Sequence, residues 1–157
     1  MNQFKPLVVA LWVSAGLLTG CQSTMAPTTQ VEPTNALSVL RTHAGSDAAM
    51  PKPAEWIVNS QDELEAIGSG PLGQISVDFD NETVVVIALG EQPTAGYWVT
   101  FISASQHGST LYVQGTANQP GPDQVVAQVM TYPYAAAVLP KIDATVLIPE
   151  IDSVIGH

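Results

Sequence analysis

The segment Thr83–Leu89 (TVVVIAL) constrains the fold more than any other part of the chain. Its uncharged, β-branched run is too short for a stable helix and predicts a central strand buried on both faces. Further strands are predicted around it. Glu55–Val58 is led by Trp56. In Gly96–Ala104, Tyr97, Val99 and Phe101 share one face, and Trp98, Thr100 and Ile102 share the other. Gln106-His107-Gly108-Ser109 reads as a hairpin turn into Leu111–Val113. The Pro/Gly loop at 118–123 (NQPGPD) leads into Gln124–Tyr132, and a final strand covers Ala144–Ile148.

One helix interrupts the pattern. In Ser60-Gln61-Asp62-Glu63 the hydroxyl can accept from the Glu63 amide while the carboxylate reaches back, a capping box for Gln61–Ile67. Acids in its first turn suit the helix dipole, and Gly68 and Gly70 end it. The expected fold is mainly β: a β-sandwich or partly open barrel of about seven strands with one short α-helix. No internal repeat is visible.

Composition excludes several functions. Acidic residues outnumber basic ones 14 to 4 in 157 residues, for a formal charge of −10. Four basic side chains cannot build a phosphate-binding patch, so a nucleic-acid partner is excluded. The single Cys excludes an internal disulfide framework and a Cys-based zinc site.

The first 20 residues read as an address. Lys5 precedes an apolar run from Leu7 to Leu18, shorter than the roughly 20 residues of a permanent membrane span. It ends in Leu18-Thr19-Gly20-Cys21, which resembles the signal of bacterial lipoproteins. That resemblance implies cleavage before Cys21 and acylation of its thiol, with the chain held at a membrane by acyl groups such as palmitate. Gln22, not Asp, follows the Cys, and by the same resemblance to Gram-negative lipoproteins this implies the outer membrane facing the periplasm. Residues 21–53, rich in Ser, Thr, Pro and Ala, read as a lipidated flexible tether; Asn35–Arg41 is a short helix or strand that docks on or clears the domain. The folded domain is placed at 54–157.

A search for chemistry finds no catalytic set. His43, His107 and His157 fall in the tether, a turn and the last position, without ligand spacing. The Gly-x-Ser-x-Gly pattern is absent, and the lone thiol is expected to be acylated. Asp78, Asp80 and Glu82 would share a face if extended and could then attract calcium, but the glycine of an EF-hand loop is missing; a solvated acidic rim is the simpler account. No cofactor is expected.

The most specific stretch is Gly90-Glu91-Gln92-Pro93-Thr94-Ala95-Gly96-Tyr97. Pro93 stiffens it, Gly90 and Gly96 permit positive φ, and Thr94 offers a hydroxyl beside small Ala95. A stiff loop loses little entropy on docking, so Glu91, Gln92, Pro93, Thr94, Ala95 and Gly96 form a candidate partner-binding loop. Tyr97 is expected to pack inward. Thr131-Tyr132-Pro133-Tyr134 is the second special stretch. Tyr132, Pro133 and Tyr134 are either a second contact or a corner that plugs the core.

Together these residues resemble the C-terminal domain of the PrcB-like family of protease-complex subunits. The resemblance covers roughly 56–141 and rests chiefly on GEQPTAGY and TYPY. The family's usual Thr-Gly-Gly-Tyr loop has Ala95 in place of the first Gly. The resemblance implies a non-catalytic, mainly β lipoprotein domain that binds protein and assembles or stabilises a partner protease. More loosely, Pro93–Tyr97 is similar to the wedge loop of chagasin-type inhibitors of papain-like cysteine proteases, but the Arg-Pro-Trp of their later loop is replaced by Tyr132-Pro133-Tyr134. Direct inhibition is therefore the first alternative. A structural or small-ligand-binding envelope lipoprotein is the second.

Overall fold

The computed structural model describes residues 35–156 apart from Ala49 and Ser69. The signal-like segment, Cys21 and His157 lie outside the described residues. Among those described, no helix is long and apolar enough to cross a membrane.

Among the described residues there are eight strands: β1 (Ala36–Leu37), β2 (Arg41–Gly45), β3 (Pro53–Val58), β4 (Glu82–Leu89), β5 (Trp98–His107), β6 (Thr110–Gln119), β7 (Tyr134–Pro140) and β8 (Val146–Ile155). They form two four-stranded sheets, ordered β2-β7-β4-β3 and β1-β5-β6-β8. Pairing is antiparallel except for β6 with β8, which run parallel. The parallel pair arises because the chain leaves β6, crosses to β7 in the other sheet, and returns as β8.

The alternation of β4 explains the layering. Val85 and Ile87 pack between the sheets with Val99, Phe101, Leu111 and Val113. Val84 and Val86 pack on the opposite face with Leu64 of the helix α1 (Gln61–Ile67) and Leu72 of the 3₁₀ turn Leu72–Gln74. The β4 sheet is thus covered on both sides, whereas among the described residues the β5–β6 sheet has one open face. This is a β-sandwich with a helix on one flank, and the uncharged run of β4 follows from its two covers. β7 beside it obeys the same rule: Ala135, Ala137 and Leu139 face the other sheet, while Ala136 and Val138 face the helix side.

The capping box forms with a shift of one residue. Ser60 Oγ accepts from the Glu63 amide at 3.2 Å, but the Glu63 carboxylate accepts from the Asn59 amide at 2.8 Å. Asn59 also accepts from the hydroxyl of fully buried Thr83, at 2.8 Å.

Several expectations are corrected. Within Asn35–Arg41 the strand alternative holds at Ala36–Leu37, which pairs with β5, whereas residues 41–45, placed in the tether, form a strand along β7. Gln124–Met130 is an irregular arm, not a strand. The final strand runs Val146–Ile155, beyond the expected 144–148. Residues 78–82 are not extended: the Asn81 and Glu82 amides both donate to the Asp78 carbonyl, at 2.9 and 2.7 Å, closing a turn. Asp78 Oδ2 accepts from the Asn81 side chain, and Glu82 pairs with Arg41, so the carboxylates do not converge as calcium ligands.

Candidate partner-binding surface

The loop between β4 and β5 is fixed at both ends by glycines with positive φ. Gly90 (φ +75) lies so close to β3 that a Cβ there would sit 2.7 Å from the Pro53 nitrogen. Gly96 (φ +88) is packed by Val126, whose Cγ1 would be 2.9 Å from an added Cβ. Both positions therefore need glycine for backbone angle and for space.

Between them the loop lies along the 124–132 arm. Gln92 and Thr131 exchange backbone hydrogen bonds of 2.8 and 3.0 Å. The Ala95 amide donates to the Ala127 carbonyl at 3.0 Å, and Thr131 Oγ1 donates to the Thr94 carbonyl at 3.0 Å. The loop does not project freely. Glu91 and Pro93 are exposed, while Gln92, Thr94, Ala95 and Gly96 are half-buried, as is Tyr97.

The structure brings the two special stretches together. The Tyr132 hydroxyl donates to Glu91 Oε2 at 3.0 Å. That bond, then burial and the Glu91 charge, raise the Tyr132 pKa above the ordinary phenol value. The Tyr132 amide is held by the Ser46 carbonyl at 2.8 Å, so the residue is clamped from two sides. Pro133 and Tyr134 are buried, and take the core-plugging role rather than the contact role. The Tyr134 ring covers Gly45, and its pKa is raised first by burial and then by the Asp47 charge.

The arm also supplies residues that sequence reading passed over. Val125, Val129 and Met130 are 99%, 53% and 59% exposed. Val129 and Met130 stand opposite Pro93–Thr94 in the loop-arm pairing. The apolar-rich run of 124–130 (QVVAQVM) reads as a strand, which hid these side chains. Pro93, Val129 and Met130 are thus exposed apolar side chains on the loop and arm, with the exposed acid Glu91 on the same loop.

The remaining candidates stand apart from this surface. His107 Nδ1 lies 3.2 Å from the Asn35 amide nitrogen, and its ring meets Tyr112 edge-on at 5.5 Å. Both line a shallow trough of about 520 Å³ on the open sheet face. His43 lies in β2, where its buried Nε2 has no hydrogen-bond partner. Among the described residues, no three His, Cys, Asp or Glu side chains are grouped to hold a metal ion.

Comparison with known proteins gives this geometry a family context. An uncharacterized protein of Methanocaldococcus jannaschii is 27% identical over 108 residues, a match covering 62% of this chain. The chain spans 65% of that relative's length. No solved structure matches the chain. The family described as PrcB C-terminal matches residues 83–140. These run from the start of β4 through the loop and arm to the last residue of β7. On that match, the segment that builds the loop-arm surface is similar to the PrcB C-terminal family.

Proposed function

We propose that this chain is a non-catalytic envelope lipoprotein whose β-domain binds a protein partner in a protease complex, through the loop-arm surface. The observation that carries this reading is the coincidence of the family match with that surface: residues 83–140 contain the loop, the arm and the strands that hold them. The family supports a protease-complex-related role. The geometry supports docking, since the backbone of the loop is already ordered by the arm and little entropy remains to be lost. The excess of acidic side chains steers partners that carry basic patches. The lipoprotein-like Leu18–Cys21 motif supports an anchor in the outer membrane, with the domain facing the periplasm.

Site-specific photocrosslinking in the host envelope tests the reading. A photoreactive residue at exposed Pro93 is expected to give an adduct with a protease subunit, while one at exposed Asp62 on α1 gives none. Loss of the chain is expected to lower the abundance of that same protease. Adducts at Asp62 alone, or unchanged protease levels, would overturn the proposal. Inhibition of papain by the purified chain would favour the inhibitor reading instead.

A further inference from the structure

The side of the sandwich where β3 and β8 lie carries two edge strands that are defended differently. β3 ends the covered sheet. It begins with Pro53, and Glu55, opposite Ile87, faces the space between the sheets. Proline and an inward-facing charge both discourage strand addition.

β8 ends the open sheet, is ten residues long, and pairs with β6 alone among the described residues. It carries no Lys or Arg, and Pro149 is its single backbone interruption. Its outer face repeats Val146, Ile148, Glu150, Asp152 and Val154, all exposed. Between β8 and β3 lies a cleft of about 300 Å³, lined in part by Ile87 and Ile151 with Glu55 and Ser153. A long edge with free backbone groups and aliphatic side chains is a template for another strand.

Charge selects the occupant. Antiparallel pairing of β8 with a second copy about Ile151 sets Glu150 opposite Asp152 twice. Moving the axis by one residue sets one of these carboxylates against its own mate. Like charges directly opposite destabilise a strand pair, so a second copy fits poorly. We propose that β8 accepts, by strand addition at its free edge, an extended segment of a partner protein carrying Lys or Arg. Main-chain hydrogen bonds supply affinity. Basic side chains on the outer face meet Glu150 and Asp152, and one turned inward enters the cleft toward Glu55. This is a second surface, and the inference does not rest on the protease reading.

Amide hydrogen exchange of the full chain tests it, with a capped octapeptide alternating threonine and valine and carrying two lysines as the probe. Every second amide of β8 exchanges fast in the free protein and is expected to slow at least tenfold with millimolar peptide. A backbone N-methylated peptide gives no protection, and a glutamate version binds at least tenfold more weakly. In the Glu55→Lys/Asp152→Lys variant, whose two sites are exposed, the preference reverses toward the glutamate peptide. Protection confined to β3 or β1, no protection anywhere, equal response to both charges, or concentration-dependent protection of β8 without peptide would each overturn the proposal.

Discussion

β7 and β8 are consecutive strands with opposite fates. β7 (YAAAVLP) contains three alanines, yet all but its last residue are buried. β8 (VLIPEIDSVI) holds six valine, leucine or isoleucine residues in ten, and none is fully buried. Side-chain hydrophobicity therefore does not rank these strands; position does. β7 lies between β2 and β4 with a layer on each face, whereas β8 ends its sheet and has one face open. Small side chains suit β7 because the layers above and below must close onto it without voids.

The largest effect that can break this comparison is a cavity. Leu139 of β7 is fully buried, and Leu139→Ala is expected to cost about 3 kcal/mol in chemical denaturation. Ile148→Ala on β8, where the side chain is 39% exposed, is expected to cost less than about 1 kcal/mol. Equal costs would mean that β8 is covered in solution. Next comes Thr83, which pairs with Leu139 in the β4–β7 register. Its hydroxyl donates to Asn59 and accepts from the Ile142 amide at 3.4 Å. Thr83→Val strands both partners and is expected to cost about 1–2 kcal/mol. Gln114→Leu removes the exposed Gln114 bonds to Ser103 and to Glu150 of β8, and is expected to change stability by less than about 0.5 kcal/mol.

The same contrast explains what the sequence discloses. β4 is legible because four β-branched aliphatics in a row have no other use, and α1 is legible because Ser60 and Glu63 sit at cap spacing. β7 is hidden because alanine carries no strand signal of its own; only its neighbours make AAAVL a core strand. β2 is hidden because Arg-Thr-His-Ala-Gly is polar and follows a Ser/Thr/Pro-rich stretch, while its pairing partner lies about ninety residues on. At the site, Gly90 and Gly96 announce a constrained loop, but the Glu91–Tyr132 bond joins residues 41 apart and has no local signature. The arm misleads because a short apolar run such as VVA at 125–127 marks a strand only when a sheet receives it.

A smaller effect distinguishes the flanks of β7 from those of β8 by pH. Arg41 of β2 donates to both Glu82 oxygens, at 3.0 and 2.7 Å, where β4 begins opposite Pro140. The Arg41 hydrogen bond, followed by that from the Asp78 amide, holds the Glu82 carboxyl below the usual carboxylate range. A lowered folded pKa gives stability that is present above the unfolded value of about 4.3 and lost as pH falls through the folded value. Glu82→Gln is therefore expected to lower Tm at neutral pH, with the gap to the native chain closing as the pH is taken below about 4. A gap that stays constant with pH would show that Gln acts through packing rather than through the ion pair. Glu150→Gln on β8 is expected to leave Tm unchanged at neutral pH.

The smallest expected effect lies just before β7, where Tyr132 enters the strand by way of Pro133. Its phenol is neutral while it donates to Glu91, and it resists ionisation because the new charge would face a carboxylate. With the folded pKa raised, the associated stability is present below the unfolded phenol value of about 10 and lost as pH rises through the folded value. Ultraviolet titration of the native chain is expected to show Tyr132 among the late-ionising phenols. Glu91→Gln should move it back toward the ordinary value, and Tyr132→Phe should delete it, each lowering Tm at neutral pH only slightly because the bond is exposed. Tyr134, held up by burial inside β7, should keep its late ionisation in both variants. If Tyr132 ionises normally in the native chain, the Glu91–Tyr132 bond does not form in solution, and the Gln92–Thr131 and Thr131–Thr94 bonds are left to tie the loop to the approach to β7.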